Sequence, residues 1–113
     1  MTVKTPTAAD ALAALEAAAD PVRAAGAMRY FKTGPGEYGE GDRFIGVATP
    51  QQRKLSRDLR AMPLEQVEIL LNNPIHDARS LALQILVLRY ERGDDAERQR
   101  VFDLYLKNLV WVD

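Results

Sequence analysis

Apolar residues recur along most of the chain at intervals of three and four, and strict alternation of apolar and polar residues is nearly absent. This spacing is typical of amphipathic α-helices. Residues that cap helices precede several of the apolar stretches, and prolines directly follow two of them. These candidate caps are Thr7, Asp20 and Thr49, with either Asp94 or Asp95 before the last helix. We therefore predict an all-α protein. Its expected helices cover residues 8–19, 21–32, 50–60, 64–72, 75–92 and 95–109.

The fifth predicted helix is apolar around nearly its whole circumference, with Leu81, Ala82 and Val87 on different sides. Such a helix is expected to lie between other helices. We interpret the whole pattern as a HEAT-like α-solenoid of about three helical hairpins, forming one domain over residues 1–113. A compact helical bundle would produce the same periodicity and stays open as the alternative.

The amino-acid composition excludes several kinds of metal site and active site. The chain has 113 residues, no Cys and one His, with 15 basic residues against 16 acidic ones. Zinc sites, iron–sulfur clusters, thiol catalysis and histidine-based triads are therefore excluded, and we expect no metal and no cofactor. The longest apolar run, Leu81 to Leu88, is far shorter than the roughly 20 residues of a membrane span. No signal peptide is visible, so we expect a cytoplasmic protein.

A glycine-rich stretch from Gly34 to Asp42 matches the letters of a dinucleotide-binding fingerprint. That fingerprint binds a pyrophosphate only between a buried strand and a helix. Here the stretch follows a predicted helix and contains Glu37 and Glu40, which would repel phosphate. We interpret it as a loop between helices.

The third predicted helix carries a candidate binding surface. At about 100° per residue, Arg53, Arg57 and Arg60 fall within about 60° of one another, and Lys54 lies beside them. We call these four residues the basic face. Arginines on a rigid helix suit phosphate groups, which they bind in a bidentate manner. An ordinary solvated helix face is the alternative, and Tyr30 and Lys32 extend the surface if neighbouring hairpins stack.

Two further sets of residues have candidate roles. His76 is interpreted as a local hydrogen-bonding residue, and Asp77 as a first-turn carboxylate favoured by the helix dipole. Near the end of the sequence, Trp111 and Asp113 form a pair that can stabilise a developing cation, the indole by its π face and the carboxylate by its charge. Packing of a tryptophan near an unrelated carboxylate is the alternative.

The sequence resembles the AlkD-like DNA alkylation repair family. The resemblance rests on several stretches that occur in the family's order: Arg29 to Asp42, Phe44-Ile-Gly-Val47, Thr49-Pro50, Arg53-Lys-Leu55, Pro74-Ile-His-Asp77, Leu81 to Val87, and Phe102 to Asn108. Members of this family are HEAT-like helical-repeat DNA glycosylases, which remove cationic purines alkylated at N3 or N7. The resemblance thus implies a solenoid whose basic surface holds duplex DNA, with a carboxylate that opposes the charge of the sugar as the base leaves.

The resemblance assigns the catalytic roles to Asp113 and Trp111, but the spacing departs from the family pattern. In the family the aspartate lies four positions after the tryptophan, whereas here it lies two positions after it. We therefore expect the amino-terminal part of a longer glycosylase fold, truncated and weakly active or inactive. The alternative is a non-catalytic helical-repeat module that binds DNA or protein.

The carboxyl-terminal end of the sequence is rich in apolar residues. We expect this end to expose an apolar surface, and we expect the chain to form homo-oligomers through that surface. The residues expected to form it are Val101, Leu104, Leu106, Val110 and Trp111.

Overall fold

The computed structural model describes residues 5–30 and 43–108, and in them it contains six α-helices and no strand. The all-α prediction is confirmed. The helices are α1 (Ala8–Ala17), α2 (Pro21–Tyr30), α3 (Thr49–Asp58), α4 (Leu64–Leu71), α5 (His76–Arg92) and α6 (Asp95–Lys107).

Three of the helices begin at caps that the sequence predicts. At α2, the Asp20 carboxylate accepts from the backbone N–H groups of Val22 and Arg23. The Thr7 hydroxyl accepts a hydrogen bond from the backbone N–H of Asp10, whose carboxylate accepts one from the N–H of Thr7. This reciprocal pair satisfies two donors that the first turn of α1 would otherwise leave free. At α6, the Asp94 carboxylate accepts from the N–H of Glu97 in the same manner.

The start and the end of α3 differ from the prediction. The N–H of Gln52 donates to the carbonyl of Ala48 at 3.0 Å, so Ala48 is the cap and Thr49 is the first helical residue. The helix ends at Asp58 instead of Arg60, because Leu59 already has the conformation of a C-cap. Arg60 consequently lies in the turn before α4, and its predicted helical alignment with Arg53 and Arg57 was wrong.

Helix α5 is the centre of the molecule, as its apolar circumference predicts. It packs against α1, α3, α4 and α6, and Leu81, Ala82 and Ile85 are fully buried. Burying a leucine or isoleucine side chain contributes roughly 1.5–3 kcal/mol to folding. This packing is compatible with both a helical repeat and a bundle.

One guanidinium joins three parts of the chain at the carboxyl-terminal end of α5. Arg89 Nε donates to Glu97 Oε1 of α6 at 2.7 Å, and Arg89 Nη1 donates to the carbonyl of Met62 before α4. Glu97 Oε2 also accepts from Arg100 Nη2 at 2.7 Å. The α5–α6 pair is thereby tied to the turn between α3 and α4.

The exposed apolar surface differs in part from the one expected. Val101 is buried at 5% exposure because it packs into the core, and Leu104 lies partly buried beside it. Leu106 is exposed, as expected, whereas Val110 and Trp111 lie outside the described residues. The larger exposed apolar side chains on α5 and α6 are Val87, Tyr90, Phe102, Tyr105 and Leu106.

Candidate nucleic-acid interface

The basic face lies on the solvent side of α3 and in the turn that follows it. Arg53, Lys54 and Arg57 are exposed on the helix, and Arg60 is exposed in the turn. The opposite side of α3 is buried through residues at the helical spacing expected for a packed face. Those residues are Gln52, Leu55 and Ser56.

The charges of the basic face are mostly uncompensated. Lys54 Nζ lies 2.8 Å from Asp58 Oδ2 in an exposed pair one turn along the helix. Arg53, Arg57 and Arg60 form no ion pair with any residue of the described ranges 5–30 and 43–108. The first turn of α3 also lacks an acidic residue. Three guanidinium groups are therefore available to an anionic partner.

Polar contacts fix the orientation of α3 against the central helix. Gln52 Nε2 donates to the carbonyl of Val47 at 3.2 Å, and Gln52 Oε1 accepts from Gln84 Nε2 of α5 at 3.0 Å. Gln84 Nε2 also reaches the Ser80 hydroxyl at 3.4 Å. Because Gln52 is buried, these hydrogen bonds are stronger than they would be in water. The side chains of the basic face therefore project from a fixed helix.

The connecting segment, residues 43–48, leads into α3 and is held by a buried carboxylate. Asp77, at 3% exposure, accepts from the N–H of Ile45 through Oδ1 at 2.8 Å and from the N–H of Val47 through Oδ2 at 3.0 Å. On the other side, the N–H of Asp20 donates to the carbonyls of Ile45 and Gly46. The segment that ends at the cap of α3 is thus held from both sides.

Sequence reasoning assigned Asp77 only a favourable interaction with the helix dipole and missed this role. An aspartate in a first helical turn is ordinarily exposed, so the pattern gave no sign of its burial. Next to Asp77, the His76 ring stacks on the Phe44 ring with centroids 4.5 Å apart. The backbone N–H of His76 donates to the backbone carbonyl of Arg43 at 2.6 Å. Neither contact is a side-chain hydrogen bond, so the hydrogen-bonding role of the His76 side chain stays a prediction.

Several predicted site residues lie outside what the structure describes. Tyr30 is the last residue of α2, but its side chain is not among those described. Lys32, the glycine-rich stretch, Trp111 and Asp113 also lie outside the described residues. The structure therefore brings together Arg53, Lys54 and Arg57, with Arg60 following in the turn.

Within ranges 5–30 and 43–108, no three His, Asp or Glu side chains come together in a way that would hold a metal ion. In the same ranges, no helix is both long enough and apolar enough to span a lipid bilayer.

Fold and site together define an all-helical protein with an exposed cationic face on one well-anchored helix. The family described as DNA alkylation repair enzyme matches residues 11–113. The chain belongs to this family, as its resemblance to AlkD-like proteins predicts. No curated protein matches the sequence, and no solved structure matches it.

Proposed function

We propose that this chain binds duplex DNA through the basic face and acts in the excision of purines alkylated at N3 or N7. The observation that carries the proposal is the presence of three exposed arginines without an ion-pair partner among the described residues, in a chain of the DNA alkylation repair family. Guanidinium groups on a fixed helix bind successive backbone phosphates and release condensed counterions.

The reaction follows from the charge of the damaged base. Alkylation at N3 or N7 makes the purine cationic, so it departs as a neutral base when its bond to C1′ of the sugar breaks. The sugar then gains oxocarbenium character, which a fixed carboxylate stabilises until water attacks C1′. In this proposal Asp113 supplies that carboxylate and Trp111 faces the sugar with its π system.

DNA binding is tested by the salt dependence of affinity. The double variant Arg53→Gln/Arg57→Gln removes two phosphate contacts, so the slope of log K against log salt should decrease by about 1.8. The control is Arg100→Gln on α6, where one positive charge is lost away from the basic face. If the double variant and the control change the salt slope equally per charge removed, the basic face is an ordinary solvated surface and makes no phosphate contacts.

Excision is tested separately with DNA that contains N7-methylguanine. We expect at most weak release of the free base above the spontaneous rate, and loss of any such release in Asp113→Asn with DNA affinity unchanged. Salt-dependent binding without any release would support the second candidate, a non-catalytic DNA-binding module. Release by Asp113→Asn at the full rate would refute the assignment of the carboxylate.

A further inference from the structure

An apolar groove of about 450 Å³ runs between α5 and α6, away from the basic face. It is lined by Leu83, Val87 and Tyr90 on α5 and by Phe102 and Tyr105 on α6. Phe102 is 49% exposed and Tyr90 47%. Exposed aromatic side chains that cluster in this way mark a surface for another protein element.

The end of the groove is acidic. Glu91 lines it, and Asp95 lies seven residues before Phe102 and therefore on the same side of α6. Neither carboxylate forms an ion pair with a described residue. Arg98 lies over the Tyr90 ring at 5.4 Å, and its guanidinium donates to the carbonyls of Tyr90 and Glu91. Arg98 is already held by these contacts, whereas Glu91 and Asp95 have no described ion-pair partner. Because of these two carboxylates, the groove fits a helix that is apolar along one side and basic at its end.

Helix α2 of the same chain has these properties. Among the described side chains of α2, residues 21–29, only Ala24 is buried, and Val22 is 81% exposed. Val22, Ala25 and Arg29 lie on one side of the helix at spacings of three and four. The helix contains two arginines and no acidic residue.

The two surfaces also match in length. Val22 and Arg29 are seven positions apart on α2, and Leu83 and Tyr90 are seven positions apart on α5. The surface between each pair therefore extends about 10 Å along its helix. The small side chains of Val22 and Ala25 suit a groove lined with large ones. Arg29 at one end of the α2 surface would lie near Glu91 and Asp95.

We propose that the α5–α6 groove binds α2 of a second copy of this chain. The contact joins two different surfaces, so it is heterologous, and an assembly either closes into a ring or leaves one free α2 and one free groove at its ends. The ionic part of the association weakens as salt rises.

Sedimentation velocity over a range of protein concentrations tests the proposal. The weight-average mass of the unmodified chain should rise from 12.6 kDa to at least twice that value, with a smaller rise in about 1 M salt than in about 0.1 M. Val22→Glu removes the α2 surface and Phe102→Glu removes the groove, so each variant alone should stay monomeric. Ile69→Glu is the matched control, because Ile69 is 51% exposed on α4 and belongs to neither surface.

Mixing the two variants is the decisive measurement. Val22→Glu keeps an intact groove and Phe102→Glu keeps an intact α2, so an equimolar mixture should form a one-to-one dimer. Circular dichroism checks that each variant is folded, and Val87→Glu replaces Phe102→Glu if the latter is not. Association that Phe102→Glu abolishes and Val22→Glu leaves intact would show a groove-to-groove contact and overturn the proposal.

Two other results would also overturn it. One is an unmodified chain that is monomeric at every concentration. The other is a monomer in which Phe102→Glu shifts the fluorescence of Trp111, because the groove would then be filled by residues 109–113 of its own chain.

Discussion

Asp77 and Val47 are 30 positions apart in the sequence, yet the buried Asp77 carboxylate accepts the backbone N–H of Val47 at 3.0 Å. Through this contact, the first turn of the central helix determines where the chain enters α3. The contact is charge-assisted and shielded from water, and both conditions strengthen it. The orientation of the basic face therefore depends on a residue outside that face.

Replacing Asp77 by alanine should destabilise the fold strongly. The variant leaves the N–H groups of Ile45 and Val47 without acceptors, at a cost of about 3 kcal/mol in the free energy of unfolding. Urea denaturation of Asp77→Ala and Asp77→Asn measures this, and the asparagine variant should fall between the other two proteins because it keeps one acceptor oxygen. A loss below about 0.5 kcal/mol in the alanine variant would contradict this role for the carboxylate.

Gly46 should not tolerate a side chain. Its φ is +81°, and a Cβ there would lie 2.7 Å from the backbone nitrogen of Ala24 and still closer to the carbonyl oxygen of Asp20. Strain and overpacking together predict a loss of about 3 kcal/mol for Gly46→Ala. Gly26→Ala is the matched control, since Gly26 is helical with no neighbour within 4 Å and the change should stabilise by about 0.5–1 kcal/mol. Thermal melts of both variants should therefore shift in opposite directions.

Stability should decrease in acid because of Glu97 and Glu68. A hydrogen bond from Arg100 and contacts with Arg89 lower the pKa of Glu97 below its ordinary 4.5. Hydrogen bonds from Asn108 and Lys107 lower the pKa of Glu68 in the same direction. A lowered folded-state pKa contributes stability that is fully present above the unfolded value and is lost as pH falls through the folded value.

The pH effect can be measured from the melting temperature between neutral pH and strong acid. Glu97→Gln and Glu68→Gln should each be less stable than the unmodified chain at neutral pH, and each should lose less stability on acidification. Parallel curves for a variant and the unmodified chain would contradict the contribution of that carboxylate.

Asp58 should weaken DNA binding because its carboxylate forms an ion pair with Lys54. If the basic face binds DNA as proposed, Asp58→Asn frees the ammonium group and removes a negative charge beside the arginines. We expect about fivefold tighter binding, equivalent to about 1 kcal/mol, and a salt slope steeper by about 0.9. Asp103→Asn on α6 is the control, since it removes the same charge from a different exposed helix. A gain no larger than that of the control would mean that Lys54 does not reach phosphate.

Much of the fold could be predicted from local patterns. The apolar circumference of α5 predicted its central position, and Thr7 and Asp94 marked helix starts because capping is a local interaction. The end of α3 was harder, because arginines and leucines favour a helix beyond Asp58 and the stop depends on the turn that brings Met62 to Arg89.

The candidate site could be predicted only in part. Periodicity placed Arg53 and Arg57 on one side of a helix, since that relation is set by helical geometry alone. It could not show that Asp77 is buried or that Gln52 pairs with Gln84, because these contacts join residues 30 or more positions apart. The exposure of Val101 was predicted wrongly for a similar reason, as its neighbours in the core belong to other helices.

The attachment of residues 43–48 on two sides has a consequence for natural variation. Insertions or deletions between Tyr30 and Arg43 would be absorbed before the chain reaches Ile45, whose N–H is already held by Asp77. The start of α3 is thus set by Asp77 and Asp20, and not by the length of the chain that precedes Arg43.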